Sequence, residues 1–303
     1  MQKKYWLFGL MLWAVVACGG GGGDTTPDPD DNTPEPSVYE DCLVQVSEQT
    51  LEVVTWNIEN FPILSGTVDK VKEIIEDFDA DIIALQEIQS LDDFNDLVAS
   101  IDGWSGHVEH VSGSSQRLGY LYKESEITVT QQPSNLYADF SDSDYNNAFT
   151  SVRRPLHIQI QHSSGMTVDL INVHMKCCDG SEDRRTRASE LVKEYIDQNL
   201  ASSNVIFLGD FNDEITDRAD DNVYQNFIDD AANFEFATMD IAEGPSSGWS
   251  YPSWPSHIDQ IVISNELFDN EISTQVLTLE QCLTNYAETV SDHRPVLIQL
   301  STN

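Results

Sequence analysis

Carboxylates, side-chain amides and histidines recur in this chain at the ends of short apolar runs. In order they are Asn57 and Glu59, Gln86 and Glu87, Asn172 and His174, Asp210 and Asn212, Asp259, and finally Asp292 and His293. Oxygen donors of this kind suit a hard divalent cation such as Mg²⁺, which keeps places open for water and phosphate. A histidine titrates near neutral pH and can take a proton from a water or return one to a leaving group. Together these groups have the chemistry of metal-assisted hydrolysis. Singly, each reads as a turn former after a strand, because Asn and Asp bond their own backbone there. The set carries the weight.

Such side chains need a rigid rim, and strand ends provide one. Strand-like runs cover residues 51–57, 81–87, 118–122, 155–160, 167–173, 204–210, 257–264 and 294–300. Val68, Val71, Ile74, Ile75 and Phe78 repeat at helical spacing, as do Ala188, Leu191, Val192, Tyr195 and Ile196. Residues 131–150 read as a long polar, acidic loop. Helices alternating with roughly ten or more strands predict layered sheets flanked by helices. No composition break divides 48–303, which predicts one domain.

The chain has 303 residues, 52 acidic and 15 basic, for a net charge of −37. Its hydrophobic content of 40% supplies one good core and excludes wholesale disorder. A surface this negative repels polyanions, which excludes tight non-specific binding to nucleic acid by counterion release. It does not exclude an enzyme that meets a phosphate through a metal. Residues 1–18 carry +2 and residues 19–41 carry −7, so residues 42–303 hold −32.

Lys3 and Lys4 precede an apolar run from Tyr5 to Ala17 that is short for a membrane span and reads as a signal-peptide core. Val15-Val16-Ala17-Cys18 resembles a bacterial lipobox, which implies lipidation at Cys18. Residues 19–47 read as a linker, with glycine giving flexibility and proline stiffness. Gly19 after the cysteine, by the same resemblance, favours the outer membrane. The expectation is an exported, lipid-anchored domain on the outer membrane or cell surface, and a monomer. An oxidising compartment permits disulfides. Cys42, Cys177, Cys178 and Cys282 allow three pairings. A Cys42–Cys282 bridge leaves an adjacent pair whose ring is strained; a bridge using either member of that pair is equally open.

The local text around the site residues resembles the endonuclease/exonuclease/phosphatase family, typified by deoxyribonuclease I-like enzymes. The matching segments are TWNIENF (55–61), DIIALQEI (81–88), INVHMK (171–176), FLGDFND (207–213), HIDQIVIS (257–264) and SDHRPVLIQL (291–300), in family order. The resemblance implies an α+β fold: a four-layered α/β sandwich, two packed mixed β-sheets flanked by helices.

It also implies roles. Glu87 is the main metal ligand, assisted by Asn57, with Asp292 on the metal side. Asp210 and Asn212 sit on the scissile phosphate and metal. His293 is the catalytic base, Asp259 orients it, and His174 acts on the leaving-group side. Some relatives carry a glutamate where Gln116 falls, paired with the histidine matching His174. Gln116 brings no such charge, so His174 is expected to be less basic. Arg153 matches an Arg-x-Pro pattern that contacts phosphate. Arg117 is a further phosphate candidate and Arg154 a lesser one. Trp249, Tyr251 and Trp254 could stack bases or pack on the domain, and His257 could touch substrate or sit at the surface.

The expected function is a divalent-metal-dependent phosphodiester hydrolase, with Mg²⁺ first and Mn²⁺ or Ca²⁺ as alternatives. The leading substrate is nucleic acid, cut by a cell-surface or secreted endonuclease. The alternatives are a phosphatase or sphingomyelinase-like phosphodiesterase of the same family, since one fold hosts several activities. A non-catalytic surface binding module ranks behind both, because metal ligands and base are all present.

Overall fold

The computed structural model describes residues 38–39, 42–43, 50–78, 80–110, 114–150 and 152–302. Cys18, residues 1–18 and most of the 19–47 linker lie outside the described residues. In chain order the strands are β1 (Thr50–Phe61), β2 (Ile82–Ile88), β3 (Trp104–Val108), β4 (Arg117–Lys123), β5 (Ile127–Asn135) and β6 (Leu156–His162). They continue as β7 (Thr167–His174), β8 (Val205–Asp210), β9 (Phe234–Phe236), β10 (Asp259–Ser264), β11 (Glu271–Val276) and β12 (Val296–Ser301).

Two six-stranded sheets result, in the orders β11-β12-β1-β2-β4-β3 and β5-β6-β7-β8-β10-β9. Each is mixed: β1 runs parallel to β2 and β7 to β8, while the other pairings are antiparallel. The sheets pack face to face. Val53, Ile82, Ala84 and Leu118 from the first meet Ile158, Leu170, Ile206 and Leu208 from the second in one buried cluster. The central strands are therefore covered on both faces, which is why they read as unbroken apolar runs.

Helices close the outer faces. α1 (Thr67–Phe78) buries Val71, Ile74, Ile75 and Phe78 against the first sheet. α2 (Leu91–Ser100) lies on the same side; its cap Ser90 accepts from Asp93 N at 3.2 Å, satisfying a first-turn donor. α3 (Ser143–Phe149) and α4 (Glu182–Asn199) cover the second sheet through Phe149, Ala188, Leu191, Val192 and Ile196. The architecture is the four-layered sandwich.

Four strands, β3, β5, β9 and β11, have no counterpart in the sequence reading. All four are sheet edges. An edge strand has one unpaired side and carries polar residues that blunt it, so its alternation is weak. The stretch 131–150 is accordingly not one loop: it begins in β5 and contains α3. Cys42 and Cys282 are disulfide-bonded, with Cα atoms 6.2 Å apart, while Cys177 and Cys178 are free thiols. No described helix is long and apolar enough to cross a membrane.

Candidate active site

Strand register assembles one side of the site. Asp210 of β8 pairs with His174 of β7 on one flank and Asp259 of β10 on the other. Neighbouring strands lie about 4.8 Å apart, so the three side chains stand in one row. The first sheet brings Asn57 and Glu87 to the same rim from the parallel strands β1 and β2. The two rims enclose a cleft of about 910 Å³, lined among others by Glu87, His174, Asp210, Asn212, Asp292 and His293.

Asn57 couples the sheets. Its Nδ2 donates to Asp210 Oδ2 at 3.0 Å and to Glu87 Oε1 at 3.2 Å. Asn60 N donates to Glu87 Oε2 at 3.0 Å, and Asp292 N to Glu59 Oε2 at 3.0 Å. Ser291 Oγ donates to Asn57 O at 2.6 Å and accepts from His293 N at 3.0 Å, which ties the last segment to the first strand. Glu59, Asn60, Glu87 and Asn212 all have positive φ, at 34°, 48°, 63° and 53°. Asparagine tolerates that region, but a glutamate holds it only where surroundings impose it, and such strain gathers at functional sites. Gly209, at φ 142°, allows β8 its closeness to β7: a Cβ there would meet Val173 O at 2.0 Å.

His293 Nδ1 lies 2.8 Å from Asp259 Oδ2, which leaves Nε2 for the cleft. Tyr251 packs on the imidazole with ring centroids 4.7 Å apart, and Tyr286 OH donates to His293 O at 2.7 Å. Asp259 is fully buried, and its N donates to Ser250 Oγ at 3.2 Å. Burial works against the imidazolium, but the Asp259 carboxylate outweighs it, with help from Asp210 and Asp292. The His293 pKa is raised to about 10.

His174 behaves oppositely. Burial, then the adjacent Arg153 guanidinium, hold its pKa well below the usual imidazole range. Arg153 NH1 sits 3.2 Å from His174 Nδ1 and 3.1 Å from Nε2, and donates to Gln116 Oε1 at 3.3 Å. Thus Gln116 touches Arg153 and adds no negative charge beside His174. The ring is neutral at pH 7, and its Nε2 lies 3.7 Å from Glu87 Oε1 and 3.5 Å from Asp210 Oδ2.

Glu87, His174 and Asp210 each bring a ligand atom within 4.8 Å of the others, a spacing that fits one metal ion. The electrostatics fit as well. Burial, with Asp259 and Glu87 nearby, pushes Asp210 up to about 7 although His293 opposes the rise. Burial and Asp292 likewise raise Glu59. Crowded carboxylates of this sort suit a divalent cation.

The remaining candidates divide. Asn212 lines the cleft; its N donates to Asp210 Oδ1 at 2.9 Å and its Nδ2 to Met175 O at 3.3 Å. Arg117 turns away from the cleft to donate to Gln89 O at 2.7 Å. Arg154 is buried and donates to Phe140 O and Asn146 Oδ1, both at 2.8 Å, holding the α3 segment. His257 is buried rather than exposed, accepts from Ser250 N at 3.3 Å and lies outside the cleft lining. Trp249 is half-buried and donates to Ile241 O at 3.1 Å, whereas Trp254 is 77% exposed at the cleft mouth. Among the lining residues, Glu59 carried in the sequence reading only its place among the strand-end donors, and Lys176 carried no role. Both stand inside the matching segments, so position was the available signal.

The model of the Endonuclease/Exonuclease/phosphatase family matches residues 54–293. No curated protein sequence matches the chain. Among solved structures, D. rerio TDP2 complexed with single strand DNA product superposes with TM-score 0.67 at 14% identity, covering 84% of this chain and 99% of that one. The human nocturnin catalytic domain with bound sulfate gives TM-score 0.62 at 19% identity, covering 85% and 95%. A Bacteroides vulgatus endonuclease/exonuclease/phosphatase gives 0.61 at 17% identity, covering 83% and 98%. At these identities the likeness is one of fold.

Proposed function

The chain belongs to the endonuclease/exonuclease/phosphatase family, and from that membership we propose a divalent-metal-dependent endonuclease that hydrolyses phosphodiester bonds in nucleic acid. The observation that carries the reading is the row His174–Asp210–Asp259 facing Asn57 and Glu87, with His293 bonded to Asp259. Glu87 and Asp210 would hold the cation, Mg²⁺ by its preference for oxygen donors, with Asp292 on the same side and Asn57 Nδ2 bridging the two carboxylates. When bound, it polarises the phosphoryl oxygens and offsets their charge.

The chain's own groups do the rest. His293 Nε2 takes a proton from the attacking water while Asp259 holds the imidazole in the useful tautomer and supports the cation formed. Asp259, then Asp210 and Asp292, raise the His293 pKa, and positive charge brought to Asp210 and Asp292 would act against that rise. Asn212 has a second amide hydrogen for a phosphoryl oxygen, and Arg153 and Lys176 bring positive charge to the same cleft. The neutral His174 can donate one hydrogen bond to the leaving oxygen. Trp254 at the mouth offers a face on which a base can stack.

The same proposal sets the domain outside the cell on a lipid at Cys18, supported by the lipobox-like segment and by a disulfide of the kind that persists in oxidising compartments. The test is hydrolysis of plasmid, single-stranded DNA, RNA, sphingomyelin and a chromogenic phosphodiester with Mg²⁺, Mn²⁺ or Ca²⁺. Nucleic-acid cleavage abolished in Glu87→Gln and His293→Ala supports it. Release of phosphocholine without nucleic-acid cleavage overturns it.

A further inference from the structure

Cys177 and Cys178 lie on a short turn just after His174 and line the same cleft. Cys177 is half-buried and Cys178 exposed. The two thiols are adjacent in the chain, and Lys176 Nζ lies 3.6 Å from Cys177 Sγ. The turn is firmly held. Buried Arg185 donates from NH1 to Lys176 O at 2.8 Å and to Cys178 O at 3.2 Å, while its Nε donates to Asp213 Oδ2 at 2.8 Å. Cys178 has φ 77°, a conformation that L side chains rarely adopt. The other two described cysteines are already bonded to each other.

We propose that Cys177 and Cys178 are a reversible covalent modification site, closing to a vicinal disulfide by exchange with a low-molecular-weight disulfide and lowering activity in the neighbouring cleft. The exposed Cys178 thiolate attacks one sulfur of the small disulfide, forming a mixed disulfide and releasing one small thiolate. Cys177, deprotonated by solvent, then displaces the second small thiolate from Cys178. Two protein thiols are oxidised, one small disulfide is reduced to two thiols, and the two protons end on those products. The neighbouring Cys177 holds the Cys178 pKa above the usual thiol range against the opposing Lys176 ammonium, and exchange proceeds through the thiolate fraction that remains. Closing a ring across one peptide bond fixes both side chains and draws Cys177 Sγ off Lys176, so the turn that presents Lys176 to the cleft must shift. A ring so small is strained, and strained or exposed disulfides are the readily reduced ones.

The effect on activity rests on the phosphodiesterase reading; the covalent step does not. The full chain, with Cys42–Cys282 intact, is incubated with oxidised glutathione, then mapped by peptide mass and assayed on plasmid with Mg²⁺. The expected result is loss of two hydrogens from the 177–178 peptide and a several-fold fall in hydrolysis, reversed by brief dithiothreitol. Cys177→Ser and Cys178→Ser start at the unmodified rate and cannot close the ring; Cys177→Ser stops at a glutathione adduct on Cys178. A stable glutathione adduct without ring closure, or a closed ring with unchanged hydrolysis, overturns the proposal. Ring closure in a chain that cleaves no phosphodiester supports the covalent site and overturns the functional reading instead.

Discussion

Gln86 Nε2 donates to Asn172 Oδ1 at 2.8 Å, a bond that crosses from one sheet to the other directly beneath the cleft. Asn172 Nδ2 returns to the first sheet through Leu85 O at 3.0 Å and Gly119 O at 3.2 Å. Both side chains are fully buried. Gln86 immediately precedes Glu87, and Asn172 sits one strand repeat before His174 on the same face of β7. The pair fixes the distance at which the two halves of the site meet.

Asn172→Leu should therefore damage more than stability. It leaves Gln86 Nε2 with only its bonds to Thr55 Oγ1 and Ala84 O and takes the amide donor from Leu85 O and Gly119 O, at about 1–3 kcal/mol. Urea unfolding reads that loss. Hydrolysis measured where the variant remains folded should fall as well; an unchanged rate would show that the clamp does not set the site.

Asp259→Asn keeps the shape beside His293 but removes the carboxylate. The rate should drop by about 10²–10⁴-fold, the usual span for general-base catalysis. Circular dichroism should be unchanged. The signature is a lowered His293 pKa by NMR titration, since the Asp259 carboxylate is what overcomes burial there.

Arg153→Ala removes a cation from the His174 ring. The His174 pKa should rise, because Arg153 follows burial among the causes that depress it. Hydrolysis should fall by roughly ten-fold or more, the scale of one lost hydrogen bond to a charged group. NMR and steady-state kinetics check the two effects separately.

The metal-free domain should lose stability as pH rises above neutrality. Burial raises Asp81 to about 8, the Glu52 backbone N–H opposing the rise and its side chain adding to it, and Asp210 is raised to about 7. Each stabilises fully below its unfolded value, and that stability is lost as pH rises through the folded value. His293, raised to about 10, acts in the same direction. Melting temperatures in chelator should decline from about pH 6.5 to 8. Asp81→Asn should flatten the decline. Mg²⁺ should raise the curve above pH 7 in the parent and not in Asp210→Ala. A melting temperature that climbs with pH in chelator would contradict the assignment.

Much of the scaffold was legible because burial on both faces writes itself into sequence. The central runs at β1, β2, β8, β10 and β12, and the apolar stripes of α1 and α4, need only composition and period to be read. The edge strands β3, β5, β9 and β11 did not show, since half-exposed edges keep their polar residues. α3 was hidden in an acidic stretch because its buried Ala148 and Phe149 are too few to form a stripe.

Sequence alone determined which residue types stand at strand ends, and so the candidates Asn57, Glu87, His174, Asp210, Asp259 and His293. Only tertiary structure decided what each faces. Register set His174, Asp210 and Asp259 abreast, while packing of the two sheets brought Asn57 against both Glu87 and Asp210. Packing also turned Arg117 to a carbonyl, buried His257 and paired Cys42 with Cys282. Local sequence fixes which way a side chain alternates along its own strand. What lies opposite is fixed by strands distant in sequence, through distances that no single segment encodes.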